Sequence, residues 1–356
     1  MVPFLKTYAS GLKDSASFGL DTYSDNNDVQ VYSPTFELMK TVSKNWLVGV
    51  KLRVDAIAAA SIRFGYSPKV GNSINAQATA SKKSTFQDMR YAPTFFVTYD
   101  DGENAATVGG YYSTELDYVG KALFASYTKQ LNQGNTVLGI GLSQSADKWS
   151  PNNGRVLPRD NRDERKVDLS VNQLISTTLS LQFVYSYMNS QGFLSSPYIN
   201  NITENYPSTR TGHAFAVKGL KFIDDDNSMN FSYRYYTDDW GIKSHTFGTE
   251  WLHDVNNNLM IGLRGRYYTQ TAANFTKPIA SYTATDTYKA SEYRMSAFNS
   301  YDIGIPITYK PSEYSPYKFS FSVDYYRTSD NAFIENWFGN KHIQAVYTTF
   351  RVDYDF

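Results

Sequence analysis

The sequence predicts an all-β protein: a single transmembrane antiparallel β-barrel of about sixteen strands, with short periplasmic turns and long extracellular loops. Three observations predict it. The chain ends inside a strand pattern, its composition is aromatic yet hydrophilic, and its long connections all fall on one parity of the strand order.

The first observation is the last stretch, Ile343 to Phe356, which from Val346 reads V-Y-T-T-F-R-V-D-Y-D-F. Side chains alternate across a strand, so Val346, Thr348, Phe350, Val352, Tyr354 and Phe356 share one face and Tyr347, Thr349, Arg351, Asp353 and Asp355 the other. One face suits hydrocarbon and the other water. A soluble sheet shows the same alternation, but an aromatic at the very end, with no polar tail, is how barrel chains present themselves for insertion. Phe350, Val352, Tyr354 and Phe356 are therefore the candidate insertion signal, to be read by the barrel-assembly machinery.

The second observation is composition. The 356 residues hold 30 Tyr and 22 Phe, 16% aromatic in all, while the mean hydropathy is negative. A globular core favours Leu and Ile; aromatic girdles around a polar lumen give this mixture instead. Charge is balanced, 34 basic against 34 acidic residues, so there is no nucleic-acid footprint. No run approaches the roughly eighteen apolar residues of a membrane helix. Cysteine is absent, which excludes disulfides, thiolate metal sites and haem attachment through C-x-x-C-H. Met1 to Leu5 has neither a basic region nor a long apolar core, so it is not a secretory signal. An outer-membrane location needs one, so the expectation is that the signal peptide is absent from this chain; whether Met1 is native stays open.

The third observation comes from the chain in order. Residues 1–14 read as a polar periplasmic segment and 15–356 as the barrel. Strands are expected near 16–23, 28–40, 45–56, 86–99, 105–114, 120–130, 135–146, 165–174, 178–189, 212–223, 227–237, 243–253, 258–270, 299–309, 317–328 and 342–356. In the first, Phe18, Leu20 and Thr22 face out and Ser17, Gly19 and Asp21 face in. In the third, Trp46, Val48, Val50, Leu52 and Val54 alternate with Gly49, Lys51, Arg53 and Asp55. In the ninth, Leu179, Leu181, Phe183, Tyr185 and Tyr187 alternate with Ser180, Gln182, Val184 and Ser186. In the thirteenth, Leu259, Ile261, Leu263, Gly265 and Tyr267 oppose Met260, Gly262, Arg264, Arg266 and Tyr268. In the fifteenth, Phe319, Phe321, Val323 and Tyr325 oppose Ser320, Ser322, Asp324 and Tyr326. The second, fifth and tenth strands give no clear face. Pro306 inside the fourteenth lacks a ladder donor and is a local objection to the strand, which a bulge could accommodate. Connections after even strands are short and rich in Asn, Asp, Gly and Pro. The long ones, 57–85, 147–164, 190–211, 271–298 and 329–341, all follow odd strands. Barrels sort their loops this way and sandwiches have no reason to.

Several stretches carry a family resemblance. They are Gly192 to Tyr198 (G-F-L-S-S-P-Y), Asn205 to Thr211 (N-Y-P-S-T-R-T), Tyr233 to Thr246 (Y-R-Y-Y-T-D-D-W-G-I-K-S-H-T) and Arg266 to Phe275 (R-Y-Y-T-Q-T-A-A-N-F). With Val54-Asp55, Ala60-Ser61-Ile62 and Tyr66-Ser67-Pro68 more loosely, they resemble a domain-of-unknown-function family, number 3570, of Gram-negative outer-membrane β-barrel proteins. That family has no settled activity. The resemblance implies a location and a barrel, and, through flavin-attachment and thioredoxin-like neighbours, a link to envelope electron transfer.

The inward charges are the candidate site. Lys51, Arg53 and Asp55 lie on the third strand, Arg234, Glu250, Arg264 and Arg266 on the eleventh to thirteenth, and Asp324, Arg351 and Asp353 near the closure. They read either as cross-strand ion pairs that keep the wall solvated or as a charged constriction that selects solutes. Counted over strands eleven to thirteen, three cations face one anion, which predicts anion preference. Trp240 and Ile242 read either as a tucked-in loop or as an anchor at the membrane interface, and the anchor is expected. His213, His245, His253 and His342 lack the spacing of a metal pair. Ser244 and His245 are adjacent, so they point to opposite faces and cannot pair as a nucleophile and base. No enzyme activity and no resident cofactor are expected. The expected partners are the lipid bilayer and lipopolysaccharide.

These residues point to a porin-like pore for small solutes. One alternative is a barrel sheath of an electron conduit wrapped around a periplasmic or lumenal redox partner such as a cytochrome. A second is an outer-membrane enzyme or structural surface protein. Loops 57–85 or 271–298 folded into the bore favour the pore; a wide, unobstructed lumen favours the sheath.

Overall fold

The computed structural model describes residues 12–60, 85–115, 118–149, 160–195 and 204–356. Residues 1–11 of the expected periplasmic segment lie outside these, as do 61–84, 150–159 and 196–203 within three of the expected long loops.

Alternation of apolar and polar side chains makes strands, and here it makes sixteen: β1 (Ser15–Asp25), β2 (Val29–Ser43), β3 (Trp46–Ala60), β4 (Thr85–Asp100), β5 (Asn104–Thr114), β6 (Tyr118–Leu131), β7 (Thr136–Trp149), β8 (Asp160–Ser176), β9 (Leu179–Gly192), β10 (Thr209–Phe222), β11 (Asn227–Asp238), β12 (Lys243–Asn256), β13 (Leu259–Gln270), β14 (Phe298–Tyr309), β15 (Tyr317–Thr328) and β16 (Gln344–Asp355). Each pairs antiparallel with its sequence neighbours, and β1 pairs with β16, so the sheet is a closed barrel without an edge. Closure is what an apolar surround demands, because hydrocarbon cannot hydrogen-bond a free strand edge.

The apolar residues lie on the outside. Leu263 and Phe215 are each 53% exposed, with Phe247, Ile303 and Phe321 among the large exposed side chains of the neighbouring strands. On the closing strand Phe350 sits between Leu20 and Phe321, and Val352 between Phe18 and Phe319. Tyr354 stacks on Phe356 at 5.5 Å, and Trp46 meets Tyr99 at 5.2 Å, both at the short-turn rim. The three strands without a clear face resolve the same way. Phe36 and Leu38 of β2, Val108 and Tyr112 of β5 and Phe215 of β10 are exposed on the outer wall. Their patterns were obscure because β5 puts Ala106 and Gly110 outward, while β10 puts Ala214, Ala216 and Leu220 inward.

Connections after even strands are tight. Asp101 Oδ1 accepts from the backbone N–H of Glu103 (3.0 Å) and Asn104 (2.7 Å), and Gly102 takes φ +93° between them. The connections after β3, β7, β9, β13 and β15 all leave from the opposite rim. The connection after β15 contains a helix, α1 (Ala332–Phe338), that the strand pattern did not announce. Asn331 caps it through its side chain, and Gly339 ends it at φ +78°.

Pro306 does not produce a bulge. The ladder to β13 skips Gly262 and Leu263, opposite Ile305 and Pro306, and resumes in the same register at Arg264–Gly304. The other side of β14 stays paired, Pro306 with Ser322. A proline removes one donor, and the structure loses two adjacent pairings rather than a residue of register.

Candidate functional site: the bore and its loop-rim chamber

Inward positions bring the polar residues of all strands onto one surface. On β3, Arg53 bonds Asp21 of β1 at 2.9 Å and Asp55 at 2.8 Å, and Arg90 of β4 reaches the same Asp55. Lys51 stands opposite Glu37 of β2. At the closure, Arg351 bonds Asp353 at 2.6 Å, and Asp353 also accepts from Ser17 at 2.7 Å and pairs with Lys318 at 3.3 Å. Across the barrel, Arg264 is held by Asp324 and by Ser322, with Glu250 at 4.0 Å. Arg266 reaches Asp302 at 3.2 Å.

The expected local excess of three cations over one anion is therefore not there. Asp302 of β14 and Asp324 of β15 stand among the arginines, and a count over β11 to β13 alone misses both. Pairing across strands, rather than along one, sets the charge of a wall patch. Arg234 alone of that trio has no carboxylate within 4.0 Å among the described residues; its guanidinium lies over the Tyr236 ring at 5.3 Å.

Towards the long-loop rim the bore opens into a chamber of about 950 Å³. Arg90 and Tyr118 line it from one wall, Arg234, Arg266, Tyr268 and Tyr326 from the other, and Glu292, Arg294 and Met295 from the loop after β13. That loop is folded. Tyr206, Trp240, Ile242, Ala273 and Ala290 form a buried cluster, with Leu194, Phe275 and Met295 packed on it. Trp240 is 4% exposed, its Nε1 donates to Thr209 O at 2.8 Å, and Arg210 stacks on it at 4.6 Å. The membrane-anchor reading of Trp240 and Ile242 is thus corrected: they are the apolar seat of a packed loop. A sequence pattern shows that two large apolar residues avoid water, but not which surface removes them from it.

Further contacts hold this loop over the bore. Lys289 and Asn205 exchange backbone hydrogen bonds of 2.9 Å. Gln270 Nε2 donates to Ser296 O at 2.6 Å, and Asn331 Nδ2, at the start of α1, donates to Ser296 Oγ at 2.8 Å. Tyr293 faces Tyr326, Tyr347 and Asp25, which belong to β15, β16 and β1; burial pushes its phenol up to about 12. The loop thus reaches from β13 to the closure of the barrel. Beneath it Glu204 is 2% exposed, and its Oε1 accepts from Ser291 N at 2.5 Å. Burial raises its carboxyl above the ordinary value of 4.5, against the pull of the Ser291 hydrogen bonds and Arg294. None of Glu204, Tyr206, Glu292 or Arg294 was singled out from the sequence, because they sit in irregular backbone where alternation assigns no face.

Ser244 is buried towards the bore, whereas His245 Nδ1 meets the Tyr233 hydroxyl at 2.8 Å on the outer wall, so the two are separated as expected.

A family model described as "Protein of unknown function (DUF3570)" matches residues 5–166 and 152–347. No curated protein matches the sequence. Among solved structures, a "Bacterial polysaccharide outer membrane secretin" shares 7% identity over 98% of this chain and 99% of its own, with TM-score 0.58. The ferric enterobactin receptor PfeA of Pseudomonas aeruginosa shares 9% identity over 90% of this chain and 54% of its own, with TM-score 0.49. The "CymD monoaromatic hydrocarbon channel" shares 9% identity over 98% and 89%, with TM-score 0.46. At such identities the secretin likeness supports the fold alone, a closed barrel of the outer-membrane type.

Proposed function

The chain belongs to the DUF3570 family, and on the geometry of its barrel we propose that it is a bacterial outer-membrane pore for small solutes, narrowed at its mouth by the loop after β13. The outer wall suits a bilayer and the inner wall suits water. The observation that carries the reading is the packed loop at 271–297, set over a bore lined by charged and polar side chains. A wall that only had to be solvated needs no such device. A sheath around a redox protein needs the opposite, an unobstructed lumen, so the same loop weighs against that alternative. The long-loop rim then faces the exterior and both ends of the barrel chain face the periplasm.

The test is solute flux. Proteoliposomes carrying the refolded chain should swell in isosmotic solutions of small sugars and stop swelling as the sugar grows. Barrels that are folded by their heat-dependent gel migration, yet pass no sugar of any size, would remove the pore reading.

A further inference from the structure

We propose that Arg234 is a binding step for an oxyanion, the carboxylate or phosphate group of a small solute, inside the bore; this rests on the pore reading above. Eight other inward or loop arginines are described at this wall and mouth: Arg53, Arg90, Arg162, Arg210, Arg264, Arg266, Arg294 and Arg351 each have a carboxylate within 4.0 Å. Arg234 stands apart from that rule, and it is exposed to the chamber. Pairing occupies the donors of those eight arginines, whereas the donors of Arg234 face the chamber without a carboxylate among the described residues.

The surroundings of Arg234 are consistent with a ligand from the solvent side. Its wall neighbours in register are small, Ala216 on β10 and Thr246 on β12, and its guanidinium lines the chamber together with Tyr236, Tyr268 and Arg266. Tyr236 supports one face of it at 5.3 Å. That contact fixes its position but leaves its charge in place, and Arg210 already lies over the same ring at 5.9 Å. Arg266 is the charged neighbour on this wall, a second cation, held over Tyr268 at 5.7 Å with only a 3.2 Å contact to Asp302. Two guanidinium groups, one of them without a carboxylate partner among the described residues, leave planar donor pairs free for a carboxylate or phosphate oxygen pair. In a narrowed bore such a site raises the local concentration of anions and slows their passage.

The experiment uses the full refolded chain, with inorganic phosphate as probe, in two readouts: calorimetric binding in detergent and interruption of chloride current in planar bilayers. Wild type should bind phosphate, and Arg234→Gln should weaken binding by about tenfold or more, the value of one charge-assisted contact. Arg234→Lys keeps the charge but loses the fork, so it should fall between them; should the Gln variant fail to fold, the Lys variant decides, since undiminished affinity there overturns the site. Thermal unfolding of Arg234→Gln should match wild type, because no carboxylate loses its partner. Equal phosphate affinity in wild type and Arg234→Gln, or none in wild type, overturns the proposal; the latter is also what an acidic protein segment as the true occupant would give. Arg234-dependent binding without any current would keep the site and sink the pore. Current that phosphate never interrupts would sink the site and keep the pore.

Discussion

Leu263 and Ser126 show what a single position can test. Leu263 is 53% exposed on the outer wall, whereas Ser126 lies on the bore side of β6, opposite Thr107 and Gly141. Leu263→Arg should cost about 2–4 kcal/mol in lipid if it sits near mid-membrane, and Ser126→Arg much less. Equal costs in a denaturant titration in lipid would reverse the assignment of faces. Glu204 gives a pH test. Its folded pKa is raised by burial, so the folded loop holds the proton more tightly than the open loop does. The contribution is therefore present at low pH and is lost as pH rises from about 4.5 through the raised value. Hydrogen exchange at the Ser291 amide, corrected for intrinsic rates, should show opening become easier as pH rises from 4.5, and Glu204→Gln should flatten the profile. A profile unchanged by that substitution would mean Glu204 does not titrate the loop. Strand residues of this kind were legible because alternation assigns a side; Glu204 was not, because its burial comes from chain segments 87 residues apart in sequence meeting at Ser291.

At the scale of elements, the loop after β13 and the barrel wall should fail separately. Trp240 seats the loop, and the wall is held by its own ladders. Trp240→Ala should cost the loop about 3–5 kcal/mol, the range for removing a buried tryptophan. The strands should stay folded. Limited trypsin treatment should then cut at Lys289, which is held in wild type by its bridge to Asn205, while the barrel keeps its heat-dependent migration. A variant that loses both together would show loop and wall to be one cooperative unit. Element boundaries were readable to within a few residues wherever turn residues punctuate them. The helix α1 was readable too, in principle: Asn331 before it and Gly339 after it are cap residues. At seven residues it is too short for its apolar period to stand out between two strands. At Pro306 the sequence shows a missing donor but not whether the neighbour shifts or simply goes unpaired, and here it goes unpaired.

For the whole molecule, the parity of loop lengths is enough to place the long connections at one rim. That is legible because the sorting is a property of chain order. The charge balance of the bore was not legible, because the partners Asp302 and Asp324 come from strands beyond those counted. Sidedness can be measured cleanly, since the chain has no cysteine. In intact cells a bulky impermeant maleimide should label Ala284→Cys at the loop rim and leave Asp225→Cys at the turn rim untouched; the reverse pattern would invert the topology. The central claim is a pore narrowed by its own loop, and single-channel recording tests it most directly. Wild-type chain in planar bilayers should give discrete conductance steps, and Trp240→Ala, with the loop unseated, should give larger ones. Steps of the same size in both, or no steps from a folded barrel, would contradict it.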